Sequence, residues 1–125
     1  MIQTLLQVAL GGALGASSRY LTGVAMTALL GRGFPWGTLT VNILGSFAMG
    51  LLITVLGNLS ATRLHPLLAV GFLGGFTTFS SFSLDVVALY ERGDIALAAG
   101  YAAVSVVASI LALFLGLALA RSFFA

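Results

Sequence analysis

The chain has 125 residues, of which 60% are apolar and only 6% charged, against roughly 25% charged in an ordinary soluble domain. Five arginines and three acids cannot cover the surface of a water-soluble fold of this size, and a mean hydropathy of +1.17 makes lipid the solvent for most of the chain. A net charge of +2 without a single lysine or basic run excludes nucleic-acid binding, and the absence of cysteine removes disulfides, thiolate metal sites and thiol catalysis together.

A helix needs about 20 mostly apolar residues to cross a bilayer core. The chain supplies such a run four times, over about 4–30, 36–56, 66–89 and 95–120. The expected fold is therefore an all-α membrane protein, a single four-helix transmembrane domain over 1–125. Turn residues separate the runs: Gly31-Arg-Gly-Phe-Pro35, Gly57-Asn-Leu-Ser60 and Tyr90-Glu-Arg-Gly-Asp94. Connections this short imply an up-down bundle with both termini on one side. No lysine or arginine precedes the first apolar run, which is also too long for a signal peptide, so a cleaved leader is not expected.

The first span carries Gly11, Gly12, Gly15 and Ala16, a smooth face for close helix approach. Arg19 lies past the middle of this span. It either attracts anions into a vestibule or plays a structural part by snorkelling or pairing with an acid. Asp85, near the end of the third span, approaches the same membrane face, and an Arg19–Asp85 clamp, direct or through one water, is expected.

In the second span Thr38, Asn42 and Ser46 recur every four residues and share a helix face; in the fourth, Tyr101, Ser105 and Ser109 do the same. Both stripes offer hydroxyl or amide donors without formal charge. They are either helix–helix glue or the walls of a polar pathway. Two stripes in so small a chain favour the pathway.

The third span holds the strongest anomaly, Gly71-Phe-Leu-Gly-Gly-Phe-Thr-Thr-Phe-Ser-Ser-Phe-Ser83. Gly74-Gly75 followed by β-branched Thr77-Thr78 is poor material for a continuous helix and predicts a break at mid-membrane. Carbonyls freed there need protein, water or an ion, and broken helices of this kind can hold sodium. Gly71 and Gly75 also form a close-packing pair. Phe76, Phe79 and Phe82 fall three apart, so a helix resuming after the break would carry them along one side. Their positive ring edges suit a small anion, although phenylalanines in membrane helices also pack against lipid or core.

Orientation is normally set by arginine and lysine asymmetry between loops. Arg63 and Arg121 stand on the terminus-bearing side, Arg32 and Arg92 on the other. This tie predicts insertion in both orientations and an antiparallel homodimer.

Gly11-Gly-Ala-Leu-Gly-Ala-Ser-Ser-Arg-Tyr20, Gly37-Thr-Leu-Thr-Val-Asn42 and the third-span motif resemble the bacterial CrcB/Fluc fluoride channels over essentially the whole chain. The third motif carries the most weight, because its glycine, threonine and phenylalanine spacing is unusual in a membrane helix. The resemblance implies a dual-topology homodimer in the bacterial plasma (inner) membrane, with two fluoride pathways and a structural sodium ion at its centre. Matched to this chain, it implies sodium held by the main-chain carbonyls of Gly74 and Thr77. It implies a fluoride path lined by Phe79 and Phe82 with Asn42 donating nearby, and Ser80, Ser81 and Ser83 around the rings. Thr38, Tyr101, Ser105 and Ser109 match the family's polar track, and Arg19 its first-helix arginine. Ser81 stands where other members often have threonine, which keeps the hydroxyl.

Fluoride is a strong hydrogen-bond acceptor, so its path needs donors that replace hydration without a fixed charge that would trap it. No phosphate-cradling loop supports ATP-driven transport, and no nucleophile–base pair or metal-ligand set supports an enzyme. The expected function is passive fluoride export. The main alternative is a small dual-topology multidrug or proton-coupled exporter, which needs a membrane-buried carboxylate and has only Asp85. A second is a non-transporting assembly subunit, in which the stripes are glue.

Overall fold

Gly31 and Gly93 adopt the left-handed backbone, with φ of 83° and 95°, and end the helices before them. Between such turns the computed structural model, which describes residues 1–125, is all helix. Helix α1 spans Ile2–Leu30 and α2 spans Trp36–Asn58. A 3₁₀ turn, Thr62–Leu64, then leads through His65 into a π-helix, Pro66–Leu73, and a single α-turn, α3, Gly74–Phe76. Helix α4 spans Phe79–Glu91 and α5 spans Ile95–Phe123. Gly57 stays inside α2, and the residue that takes positive φ in the following turn is Ser60, at 53°.

Three stretches are long and apolar enough to cross a membrane: Trp36–Asn58, Thr62–Glu91 and Ile95–Phe123. Helix α1 has the length, 29 residues, but Gln3, Gln7, Ser17, Ser18 and Arg19 make it less apolar. Both expected same-side turns meet, since Arg92 Nη2 donates to the Gly33 carbonyl at 3.1 Å.

The break in the third stretch lies at Thr77-Thr78, not at Gly74-Gly75. Thr77 (φ −84°, ψ 159°) and Thr78 (φ −154°, ψ 120°) are extended, whereas Gly74 remains helical. The β-branched pair leaves the helix because it favours extended backbone. The glycines serve contact instead: a Cβ on Gly75 would lie 2.8 Å from the Gly12 carbonyl oxygen. Phe76 consequently sits before the break, stacked on Phe72 at 6.0 Å, and does not share a helix face with Phe79 and Phe82.

The break also changes the packing partner. The π-helix and α3 lie along α1, α4 lies along α5, and α1 does not touch α4. Leu39, Phe82, Leu89, Ala98 and Tyr101 form the small core where α2, α4 and α5 meet. Only 18 of 125 residues are buried, so most apolar side chains face outward, as lipid or a second copy would require.

Candidate functional site

In an unbroken helix the carbonyls of Gly74, Gly75 and Thr77 would accept hydrogen bonds from the amides of Thr78, Phe79 and Ser81. The amides of Thr78 and Ser81 are diverted. Thr78 N–H donates to Asn42 Oδ1 at 2.8 Å, and Asn42 Nδ2 donates back to the Thr78 carbonyl at 3.1 Å. Ser81 N–H donates to Thr78 Oγ1 at 3.1 Å, which makes Thr78 the N-cap of α4. The Gly75 carbonyl accepts instead from Arg19 Nε at 3.1 Å. The carbonyls of Gly74 and Thr77 are left without their helical donors.

Beside this break lies a groove of about 380 Å³. It brings together Asn42, Ser46, Thr77, Phe79, Phe82, Ser105 and Ser109, and closes with Met49, Val106, Ile110 and Leu113. The Phe79 and Phe82 rings are 5.5 Å apart and tilted by 51°. Phe82 is buried in the core, whereas Phe79 is exposed. The hydroxyls of Ser105 and Ser109 are buried and make no hydrogen bond of good geometry, although Ser105 stands within reach of the Tyr101 hydroxyl. An orphan hydroxyl in an apolar bundle is costly, and here two of them border one groove.

A second, wider cleft of about 880 Å³ opens at the end of the bundle that holds the Gly31–Pro35 turn. Arg19, Arg32 and Arg92 border it together with Thr38, Ser81 and Asp85. Thr78 lines both cavities. Most of the sequence-predicted residues are thus divided between two spaces that meet at the N-cap of α4.

Several expected roles change in this geometry. Tyr101 is buried, its ring 5.4 Å from that of Phe82 and tilted by 47°, and its hydroxyl donates to Asp85 Oδ2 at 3.0 Å; it lines neither cavity. Arg19 and Asp85 make no direct pair. Both residues border the cleft, but Arg19 turns to α3 and Asp85 to α5, because the break hands the chain from α1 to α5. The one ion pair is Arg92–Asp94, on the surface at 2.7 Å. Ser80 Oγ lies 3.3 Å from Thr78 Oγ1 and Ser83 Oγ donates to the Phe79 carbonyl. Neither serine lines the groove, and Ser81 borders the cleft. Sequence reasoning missed Thr78, although a threonine three residues before Ser81 at the start of an apolar run is an N-cap signal.

No cluster of three or more His, Cys, Asp or Glu able to hold a metal ion is present.

Comparison with known proteins follows the same outline. The family described as CrcB-like protein, Camphor Resistance (CrcB), matches residues 6–117. A protein of Cereibacter sphaeroides named fluoride-specific ion channel FluC is 56% identical over 125 residues, all of both chains. Proteins with the same name from Chelativorans sp. (strain BNC1) and Agrobacterium fabrum are 57% and 55% identical, covering 94% of this chain and 96% and 95% of their own. A match of this extent, running through the break and both donor stripes, places the chain in the CrcB-like family.

Proposed function

We propose that the chain is a fluoride-selective channel that lets fluoride leave the cell passively and so confers resistance to fluoride toxicity. One observation carries the reading: Asn42, Phe79, Phe82, Ser105 and Ser109 border a single groove whose serine hydroxyls are buried and unpaired. Relatives at more than half identity are named for fluoride. Unpaired donors and ring edges give a small, strongly hydrated anion replacement contacts without a formal charge to hold it.

In this reading α1 crosses the bilayer as the fourth span, supported by its length and its contact along the third stretch. Two copies associate in opposite orientations in the bacterial inner membrane. The balanced arginines and the outward-facing apolar side chains support that arrangement. The main-chain carbonyls of Gly74 and Thr77, which lack helical donors, fit a hard cation that prefers oxygen ligands. Those two residues from each copy would hold a structural sodium ion, which would neutralise the carbonyl dipoles.

The exporter alternative has a single carboxylate within a span to draw on, Asp85, and it accepts from Tyr101 at the α4–α5 contact. Liposomes loaded with fluoride, or with chloride, test the reading directly. Rapid fluoride efflux driven by the membrane potential alone, with chloride retained, is expected. Fluoride efflux no faster than from protein-free vesicles, or equal chloride efflux, refutes it.

A further inference from the structure

Arg19 reaches across from α1 to a carbonyl 56 residues away, and the atom it uses is Nε. The approach is fixed by the backbone beneath it. A Cβ on Gly75 would lie 2.8 Å from the Gly12 carbonyl oxygen and 3.2 Å from the Ala16 amide nitrogen. Gly12, Ala16 and Arg19 fall on one face of α1, so α1 and Gly75, two residues before the break, lie almost in backbone contact one to two turns from the arginine. The Gly75 carbonyl is also the only hydrogen-bond partner Arg19 has within the chain. Asn42 does the equivalent from α2, occupying the Thr78 amide and carbonyl. Each flanking helix therefore contributes a side chain where the broken helix has lost a backbone bond.

We propose that Arg19 is a positioning residue: its Nε–H takes the place of the Phe79 amide at the Gly75 carbonyl and holds the break open, and its positive charge is dispensable. The carbonyl it fixes lies next to Gly74 and four residues before Phe79, so the bond sets the geometry of the unpaired carbonyls and of the ring helix together. An arginine that served as an anion collector over the cleft would instead depend on its charge, be screened by salt, and be served as well by lysine.

Three variants separate hydrogen bond from charge. Arg19→Gln places an amide nitrogen as many bonds from Cα as Nε and is neutral. Arg19→Met is neutral and has no donor. Arg19→Lys keeps the charge but has a methylene where Nε stood and its nitrogen one bond beyond. Flux is read in liposomes beside the unaltered protein at low and high ionic strength. Because the flux readout rests on the fluoride-channel reading, the ¹³C shift of the labelled Gly75 carbonyl is read in parallel by solid-state NMR. Arg19→Gln is expected within about twofold of the unaltered protein and Arg19→Met and Arg19→Lys about tenfold or more below it, as leaving the half-buried Gly75 carbonyl without its donor implies. The carbonyl shift should be kept in Arg19→Gln and moved in the other two. Arg19→Gln as slow as Arg19→Met, or Arg19→Lys as fast as the unaltered protein, overturns the proposal. If the unaltered protein passes no fluoride, the channel reading fails alone, and the carbonyl shifts decide: an unmoved Gly75 signal in Arg19→Met overturns the positioning role.

Discussion

Replacing Asn42 with alanine removes both hydrogen bonds that hold Thr78, at 2.8 and 3.1 Å, in one step. Thr78 is half-buried beside the groove, and each bond has a net worth of about 1 kcal/mol, so the pair amounts to about 2 kcal/mol. Leaving the amide or carbonyl without water would raise the loss, since an unsatisfied buried group costs about 1–3 kcal/mol. Asn42→Asp is the informative partner. It keeps an oxygen for the Thr78 amide but turns the second oxygen onto the Thr78 carbonyl, so it should be no more stable than the alanine variant. Unfolding in mixed micelles titrated with denaturing detergent measures the loss, and hydrogen exchange at the Thr78 amide locates it. A stability change below about 0.5 kcal/mol, the usual range for a surface substitution, with Thr78 still protected from exchange, would refute the clamp.

Phe79→Ile and Phe82→Ile should each reduce fluoride flux about fivefold, as loss of an edge contact of about 1 kcal/mol implies, while leaving assembly on size-exclusion chromatography unchanged; normal flux in both would make the rings packing residues. Tyr101→Phe should destabilise by about 1.5–3 kcal/mol, because it removes a hydrogen bond to the Asp85 carboxylate, and Asp85→Asn should cost less because it retains an acceptor; equal losses in detergent unfolding would contradict this. Gly116→Ala places a Cβ against the Phe47 carbonyl oxygen and Gly50→Ala one against that of Leu113, so each should cost about 1–3 kcal/mol, whereas Gly57→Ala, with open space around it, should be neutral or better in the same assay.

The helices were legible because their limits are local. Gly31, Pro35 and Gly93 mark the ends of helices within a residue or two, and expected spans of 36–56 and 95–120 meet helices of Trp36–Asn58 and Ile95–Phe123. The close-packing face of Gly11 and Gly15 was legible for the same reason: both are buried, against the π-helix and Phe72. The position of the break was not. Propensity alone weighs Gly74-Gly75 against Thr77-Thr78, and the decision comes from contacts with α1 and α2 made across 56 and 36 residues. Periodicity cannot see such contacts. A shared membrane face does bring Arg19 and Asp85 to one cleft, but the break turns α4 from α1 towards α5, so each finds a different direct partner.

The two polar stripes show how an ambiguity in sequence resolves residue by residue. Glue and pathway were competing accounts of Thr38, Asn42 and Ser46, and of Tyr101, Ser105 and Ser109. Asn42 is glue in the strict sense, since both ends of its amide are bonded to backbone, yet it also borders the groove, and one amide hydrogen is left over once the clamp is made. Tyr101 is glue as well, with its hydroxyl on Asp85 and its ring on Phe82. Ser105 and Ser109 make no hydrogen bond of good geometry while buried at the groove. A stripe whose members all served packing would have satisfied those hydroxyls within the bundle, as serine in a helix readily does through the carbonyl four residues before it. Ser83 makes that bond, 3.0 Å to the Phe79 carbonyl, on the exposed face of α4. In the proposed channel the saturated groups at the break would keep the helix open, and the unsaturated ones along the neighbouring groove would leave donor capacity for fluoride.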